Sequence, residues 1–493
     1  MNRLLCAFLS VFNVWAAFAQ IPSDSLIPHK NISNIIITKG ADKPIISIGD
    51  SAIGFFYFHY GNTFKESRVQ VLITDKDFNK ILEKEQPFSG KIDEFLIDEA
   101  LDCGTSWSFF SMNDDFIREV IVSKQSGEVH TSKLVIPKLL TFHKPFKHHD
   151  KLYFLTFDKK EYMLYGLEHG KIPLIGVGKF PETGIKNCHF APFLEDARYI
   201  SSSEKPQFDD VAGNISKVYT RQNAVVLTID YRTNDKQASF MQLAINLETA
   251  QAKFSQQPFP STQSYGRKPS WEAQNMDNYI DVELRNFASF VTTDDKLFLT
   301  TISDREMITS ISDLRTRQVI KQVVCPRSHE LPLKNSDIVN ESTGFNYWTG
   351  REQKRNKKTI SDLDFWDALR AKDISVIAYP RKNGYDLMIG TYVNQKQKAR
   401  RKIILAGAMF GLIGSAITNA NNEAVISYYF YSRLNADFEH QADAKLPNTF
   451  DEDAKLFDFN RDYKYRAFFN IGEKAYFTVY DPDSRNVLIF ADK

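Results

Sequence analysis

The densest group of metal-binding residue types is His143, His148, His149 and Asp150. Neutral imidazoles and a carboxylate suit Zn²⁺. Lys144, Lys147 and Lys151 interleave them and repel a cation. Adjacent strand residues also point to opposite faces, so His148 and His149 share a metal only in a loop. A solvated hairpin connection is favoured over a metal centre. Cys188-His189 pairs a thiol with an imidazole, but a nucleophile and its base must face each other, which sequence neighbours seldom do. Asp451-Glu452-Asp453 with Asp458 and Asp462 offers oxygens for Ca²⁺ but lacks the Asp-x-Asp-x-Asp-Gly order, so it reads as a solvated acidic loop. There is no Gly-x-Ser-x-Gly, His-Glu-x-x-His, Gly-x-x-x-x-Gly-Lys or Cys-x-x-Cys motif. The sequence nominates no catalytic residue and implies no cofactor.

A second chemistry is electrostatic. Between Arg351 and Lys402 there are 14 Lys and Arg against 6 Asp and Glu, a local net of +8 where the whole chain carries +1. Lys396, Lys398, Arg400, Arg401 and Lys402 end the stretch, and Ile403 to Ile417 follows with only Ser415 neither apolar nor glycine. As a helix this run spans roughly 22 Å, short of a ~30 Å hydrocarbon core. Two readings stand: a helix buried against a sheet, or an apolar element with basic shoulders that docks on an anionic membrane surface, an anionic glycan or an envelope protein. In the second reading Lys396 to Lys402, Met409 and Phe410 make the contact. Ahead of it, Ser361 to Ala371 reads as a short amphipathic helix, capped by Ser361 with Asp364, carrying Leu363, Trp366, Leu369 and Arg370 at helical spacing.

The address is set by the first residues. Met1-Asn2-Arg3 is a basic start, Leu4 to Ala19 is mostly apolar, and Ala17-Phe18-Ala19 is a small-x-small site before Gln20. This order is that of a secretory signal peptide over 1–19, which places the mature chain in the periplasm or outside the cell, in one version peripheral to the outer membrane. Cys103, Cys188 and Cys325 remain beyond it and allow one disulfide at most. The balance of 62 basic against 61 acidic residues lacks the basic imprint of nucleic-acid binding.

The elements that must position these groups are strands. Aromatic and β-branched residues favour half-buried strands, and the chain holds 39 Phe and 21 Tyr. Hairpin-like pairs recur at Ile53 to Ile73, Trp107 to Val122, Lys151 to Leu167, Ala224 to Ile245, Lys296 to Ile311, Ile374 to Val393, Ala424 to Phe438 and Lys474 to Phe490. The expected fold is all-β, a β-propeller of six to eight blades with seven the best estimate, over 20–493, with a basic-apolar insertion at about 351–420. Asn34 to Lys39 is the strand expected to close the last blade. Tandem β-sandwiches are the rival architecture. Trp107, Trp271, Tyr347 and Trp348 are aromatics able to stack on sugars.

The signal sequence, the Phe/Lys/Asn/Ile-rich strands and the degenerate blades resemble the uncharacterised exported β-propeller-like proteins of Bacteroidota. The likeness is one of whole-chain style and transfers no residue roles. Together these readings imply a non-catalytic binding or scaffold protein of the cell envelope. The alternative is a glycan hydrolase or lyase working at a propeller axis.

Overall fold

The computed structural model describes residues 30–32, 45–48, 52–59, 68–87, 97–113, 116–136, 141–148, 151–168, 170–182, 190–195, 197–200, 211, 214–232, 238–261, 286–303, 305–327, 330–346, 351–371, 373–394, 423–444, 446, 464–471, 474–481 and 486–491. Among these, strands dominate and form seven small sheets of four or five strands, over 45–87, 97–135, 141–179, 198–258, 287–326, 338–435 and 464–491. Nearly all pairing is antiparallel between sequence neighbours. The exceptions are Arg198–Ile200, parallel to Ser216–Arg221, the rearranged order of 338–435, and Lys30–Ile32, which pairs with Asn486–Ala491.

The chain divides into two compact units, 1–96 with 450–493, and 97–449. In the first, Lys30–Ile32 pairs with Asn486–Ala491 and completes the C-terminal sheet from the chain's beginning. In the second, strands of successive sheets lie side by side: Ile97–Asp102 by Thr141–His148, that strand by Ser216–Arg221, and Phe287–Val291 by Asp373–Arg381. Consecutive small meanders with neighbouring inner strands make this a β-propeller fold rather than a pair of sandwiches. Burial follows the same logic. Middle strands such as Glu306–Asp313 are buried on both faces, whereas the outer Val129–Val135 alternates.

Four differences from the sequence reading have physical reasons. Ala424 to Phe438 is no hairpin but most of one long strand, Glu423–Asn435, between Gly384–Asn394 and Ile338–Asn346; no turn residue interrupts it before Asn435. The closing N-terminal strand is Lys30–Ile32, while 34–39 lies outside the described residues. The stretch 351–394 belongs to the sheet itself. Arg351–Ile360 is its outermost strand, the helix Asp362–Ala371 carries the chain inward, and Asp373–Arg381 with Gly384–Asn394 is the expected Asn-Gly hairpin. On that helix Phe365, Trp366 and Leu369 are fully buried, and Leu363, expected on the apolar face, is exposed.

One turn recurs before the last strand of several sheets. In Asn246-Leu-Glu-Thr-Ala-Gln251, Asn246 Oδ1 accepts the N–H of Glu248 and of Thr249, Ala250 N donates to Asn246 O, and Ala250 has φ 55°. Asp313-Leu-Arg-Thr-Arg-Gln318 repeats these bonds at Arg315, Thr316 and Arg317, with φ 61° at Arg317. In both, the second residue, Leu247 or Leu314, is buried, and its N–H donates to a residue of the preceding turn, Asn223 or Asp295.

Candidate functional site

Ser123-Lys-Gln-Ser-Gly-Glu128 is a third copy of that turn. Ser123 Oγ accepts the N–H of Ser126, Gly127 N donates to Ser123 O at 3.0 Å, and Lys124 N donates to Thr105 O at 3.0 Å. Its second residue is Lys124, where the other two copies bury leucine. An ammonium does not enter an apolar core unpaired. The side chain lies instead across the surface, 2.5 Å from Asp102 Oδ1 and 5.2 Å above the ring of Trp107. An open groove of about 450 Å³ lies there, lined by Thr105, Ser106, Ile121, Ser123, Lys124 and Gln125. Three hydroxyls, an amide and a neutralised ion pair give it many hydrogen-bond donors and acceptors. Asp102, the nearby carboxylate, already accepts from Lys124 and from Gly104 N.

Several buried polar groups of unit 97–449 tie neighbouring strands or sheets together. Arg221 donates from Nε to Thr292 O at 3.0 Å and from Nη1 to Thr220 O at 2.7 Å; burial lowers its pKa. Tyr219 lies within the same wall, its hydroxyl pushed up by burial, and Val291 N donates to it. Gln222 donates to Asp295 across the same junction, and Tyr385 to Asp294 across the next one. Glu119, fully buried, accepts from Ser132 Oγ and from Gly170 N of the following sheet. Asp386 takes Arg433 in two bonds of 2.8 and 3.3 Å and also pairs with Arg381.

The residues singled out in the sequence are dispersed. His148 ends Thr141–His148 opposite Lys151, and its Nε2 accepts the N–H of Asn223 at 3.2 Å, which ties it to a neighbouring turn. Lys147 Nζ donates to Ala100 O. His143 lies on the same strand, before an irregularity in its pairing. His149, Asp150, Cys188, His189, the acidic group at 451–462 and Trp271, Tyr347 and Trp348 lie outside the described residues, as do Lys396, Lys398, Arg400, Arg401, Lys402, Met409 and Phe410. No trio of His, Cys, Asp or Glu among the described residues is placed to hold a metal ion. No described helix is long and apolar enough to cross a membrane. Trp107 is 4% exposed, so it is core and not a stacking platform. Cys103 and Cys325 are free thiols; burial raises the first and pushes the second up to about 12. The turn repeat and its Lys124 departure escaped the sequence reading. The signal was the pair Asn-Leu-x-Thr-x-Gln and Asp-Leu-x-Thr-x-Gln.

No family model and no curated protein matches the chain. Among solved structures, the β-propeller domain of the trilobed protease from Pyrococcus furiosus aligns over 91% of this chain and 94% of its own, at 9% identity and a TM-score of 0.33. An apocarotenoid oxygenase from Synechocystis aligns over 63% of this chain and 61% of its own, at 9% identity and 0.27. The cobalt-substituted form of that oxygenase gives 64%, 65%, 9% and 0.28. The chain thus spans less than two thirds of the length of these oxygenases. Such scores carry no inference about activity, and the propeller assignment rests on the strand pairing above.

Proposed function

We propose that this chain is an exported binding or scaffold protein of the cell envelope, whose groove beside Lys124 takes a neutral, hydroxyl-rich glycan. The observation that supports this reading is the departure of one turn from its own repeat. Where two turns bury leucine, the third places a paired ammonium among hydroxyls and an amide, at the groove. Polar recognition of a sugar needs such clustered donors and acceptors on a rigid frame. The ion pair brings no net charge, so anionic ligands gain little.

The test is titration of the purified chain with soluble envelope oligosaccharides, read by calorimetry and by chromatography of the sugars afterwards. Saturable binding that falls at least tenfold in Lys124→Leu, with the sugars intact, is the expected result. Lys124→Leu restores the residue of the other copies, so its fold should persist, which a melting curve checks. Shortened sugars would replace this reading with the glycan hydrolase or lyase. Binding unchanged in Lys124→Leu would move the site elsewhere. A second reading, docking through the basic run at 396–402, is supported by the local net of +8. It predicts co-sedimentation with anionic liposomes that is lost at high salt and on deleting 396–420.

A further inference from the structure

Lys217 and Asp230 stand on neighbouring strands, Ser216–Arg221 and Ala224–Arg232, and the carboxylate meets the strand Phe287–Val291 of the next sheet. Their side chains are 3% and 2% exposed, and Lys217 Nζ lies 3.4 Å from Asp230 Oδ2. A good charge-assisted bond is shorter, about 2.7–2.9 Å. Asp230 Oδ2 accepts the N–H of Ser289 at 3.0 Å, while Oδ1, equally buried, has no hydrogen-bond partner among the described residues. A buried ion pair offsets its desolvation only with close geometry and satisfied lone pairs. In this pair the contact is long and one carboxylate oxygen is unsatisfied, which favours a reaction that removes both charges.

We propose that Lys217 and Asp230 condense into an intramolecular isopeptide bond between Nζ and Cγ. A proton passes from the ammonium to the carboxylate, leaving an amine and a carboxylic acid. Nζ attacks Cγ, and the π electrons of the carbonyl move onto Oδ2, where the Ser289 N–H faces the developing negative charge. That electron pair then reforms the C=O bond as the bond from Cγ to Oδ1 breaks. Oδ1 takes the proton released by nitrogen and leaves as water. Amine and acid become amide and water, with no oxidant or co-reactant. Fixing both groups in one dry site supplies an effective concentration of order 10⁵ M or more. The product removes both buried charges and the unsatisfied oxygen, and its carbonyl keeps the Ser289 bond. Cys103 and Cys325 are free thiols, so neither supplies a disulfide, and this bond would be a different kind of covalent brace.

The experiment is mass spectrometry of the purified full chain after denaturation and tryptic digestion. The expected result is blocked cleavage after Lys217 and a branched peptide, joining the segments of Lys217 and Asp230, lighter by one water than their sum. Asp230→Asn should give the same branched peptide by loss of ammonia. Asp230→Ala and Lys217→Arg should give none. Normal cleavage after Lys217 in the wild-type chain, with both peptides at unmodified mass, overturns the proposal even where the variants do not fold.

Discussion

At the scale of single residues, this propeller spends polar groups on holding its sheets together, and each such group makes a separate prediction. Tyr162 donates to Ala250 O at 2.7 Å, and burial raises its hydroxyl from 10 to about 12. The folded state therefore favours the neutral phenol. Its contribution is whole below about pH 10, the unfolded value, and disappears as pH rises through about 12. Urea midpoints measured across that range should fall, and the fall should be shallower in Tyr162→Phe, since Tyr219 and Tyr385 remain to titrate. Gly178 faces the same ring: a Cβ there would stand 2.3 Å from Tyr162. Gly178→Ala should cost about 1–3 kcal/mol by overpacking, read by urea denaturation. Cys325, fully buried with its thiol pushed up to about 12, should resist alkylation in the native protein and react only on unfolding, as peptide mapping will show.

Among the elements, the hairpins were legible because aromatic and β-branched runs end in polar turns that carry Asp, Asn or Gly. Lys151–Phe157 with Glu161–Leu167 is one case, its turn tied by Asp158 Oδ1 to the N–H of Lys160 and Glu161. Glu423–Asn435 defeated the same logic, because a run of hairpin length can be one long strand when sheet neighbours flank it on both sides. The recurring turn was hidden for another reason. Its left-handed position is filled by Ala250 in one copy and Arg317 in another, whereas turn reading looks for glycine. A left-handed L-residue costs roughly 1–2 kcal/mol, partly balanced by the entropy that glycine loses on folding. Arg317→Gly should therefore stabilise by about 0.5–1 kcal/mol, and Gly127→Arg should destabilise by a similar amount, both measured as shifts in urea midpoint. The helix Asp362–Ala371 was read from its cap, and Ser361 Oγ does accept the N–H of Asp364. What its sequence could not reveal is the tertiary use of Asp362, which accepts from Lys334 Nζ at 2.7 Å and from Leu331 N. Asp362→Ala strands a half-buried ammonium and should cost about 3–5 kcal/mol, against ±0.5 for the exposed Leu363→Ser.

For the whole chain, the decisive long-range pairing joins its two ends. Lys30, Asn31 and Ile32 lie opposite Ile489, Leu488 and Val487 in an antiparallel register. Sequence reading reached the idea of an N-terminal closing strand but placed it at Asn34 to Lys39, because that run is the more apolar. Pairing across the full chain length leaves no local signal that picks one short strand over its neighbour. The three-residue strand covers the edge of Asn486–Ala491, whose Val487, Ile489 and Phe490 are buried. Removing it leaves that edge's backbone groups to water and takes packing from the outer side of the C-terminal sheet. Hydrogen exchange on a chain lacking residues 20–33 should show faster exchange at 486–491, while Glu306–Asp313, in the other compact unit, keeps its protection. Equal loss in both places would mean that the two units open as one cooperative body. Unchanged protection at 486–491 would mean that this pairing adds nothing to the stability of the C-terminal sheet.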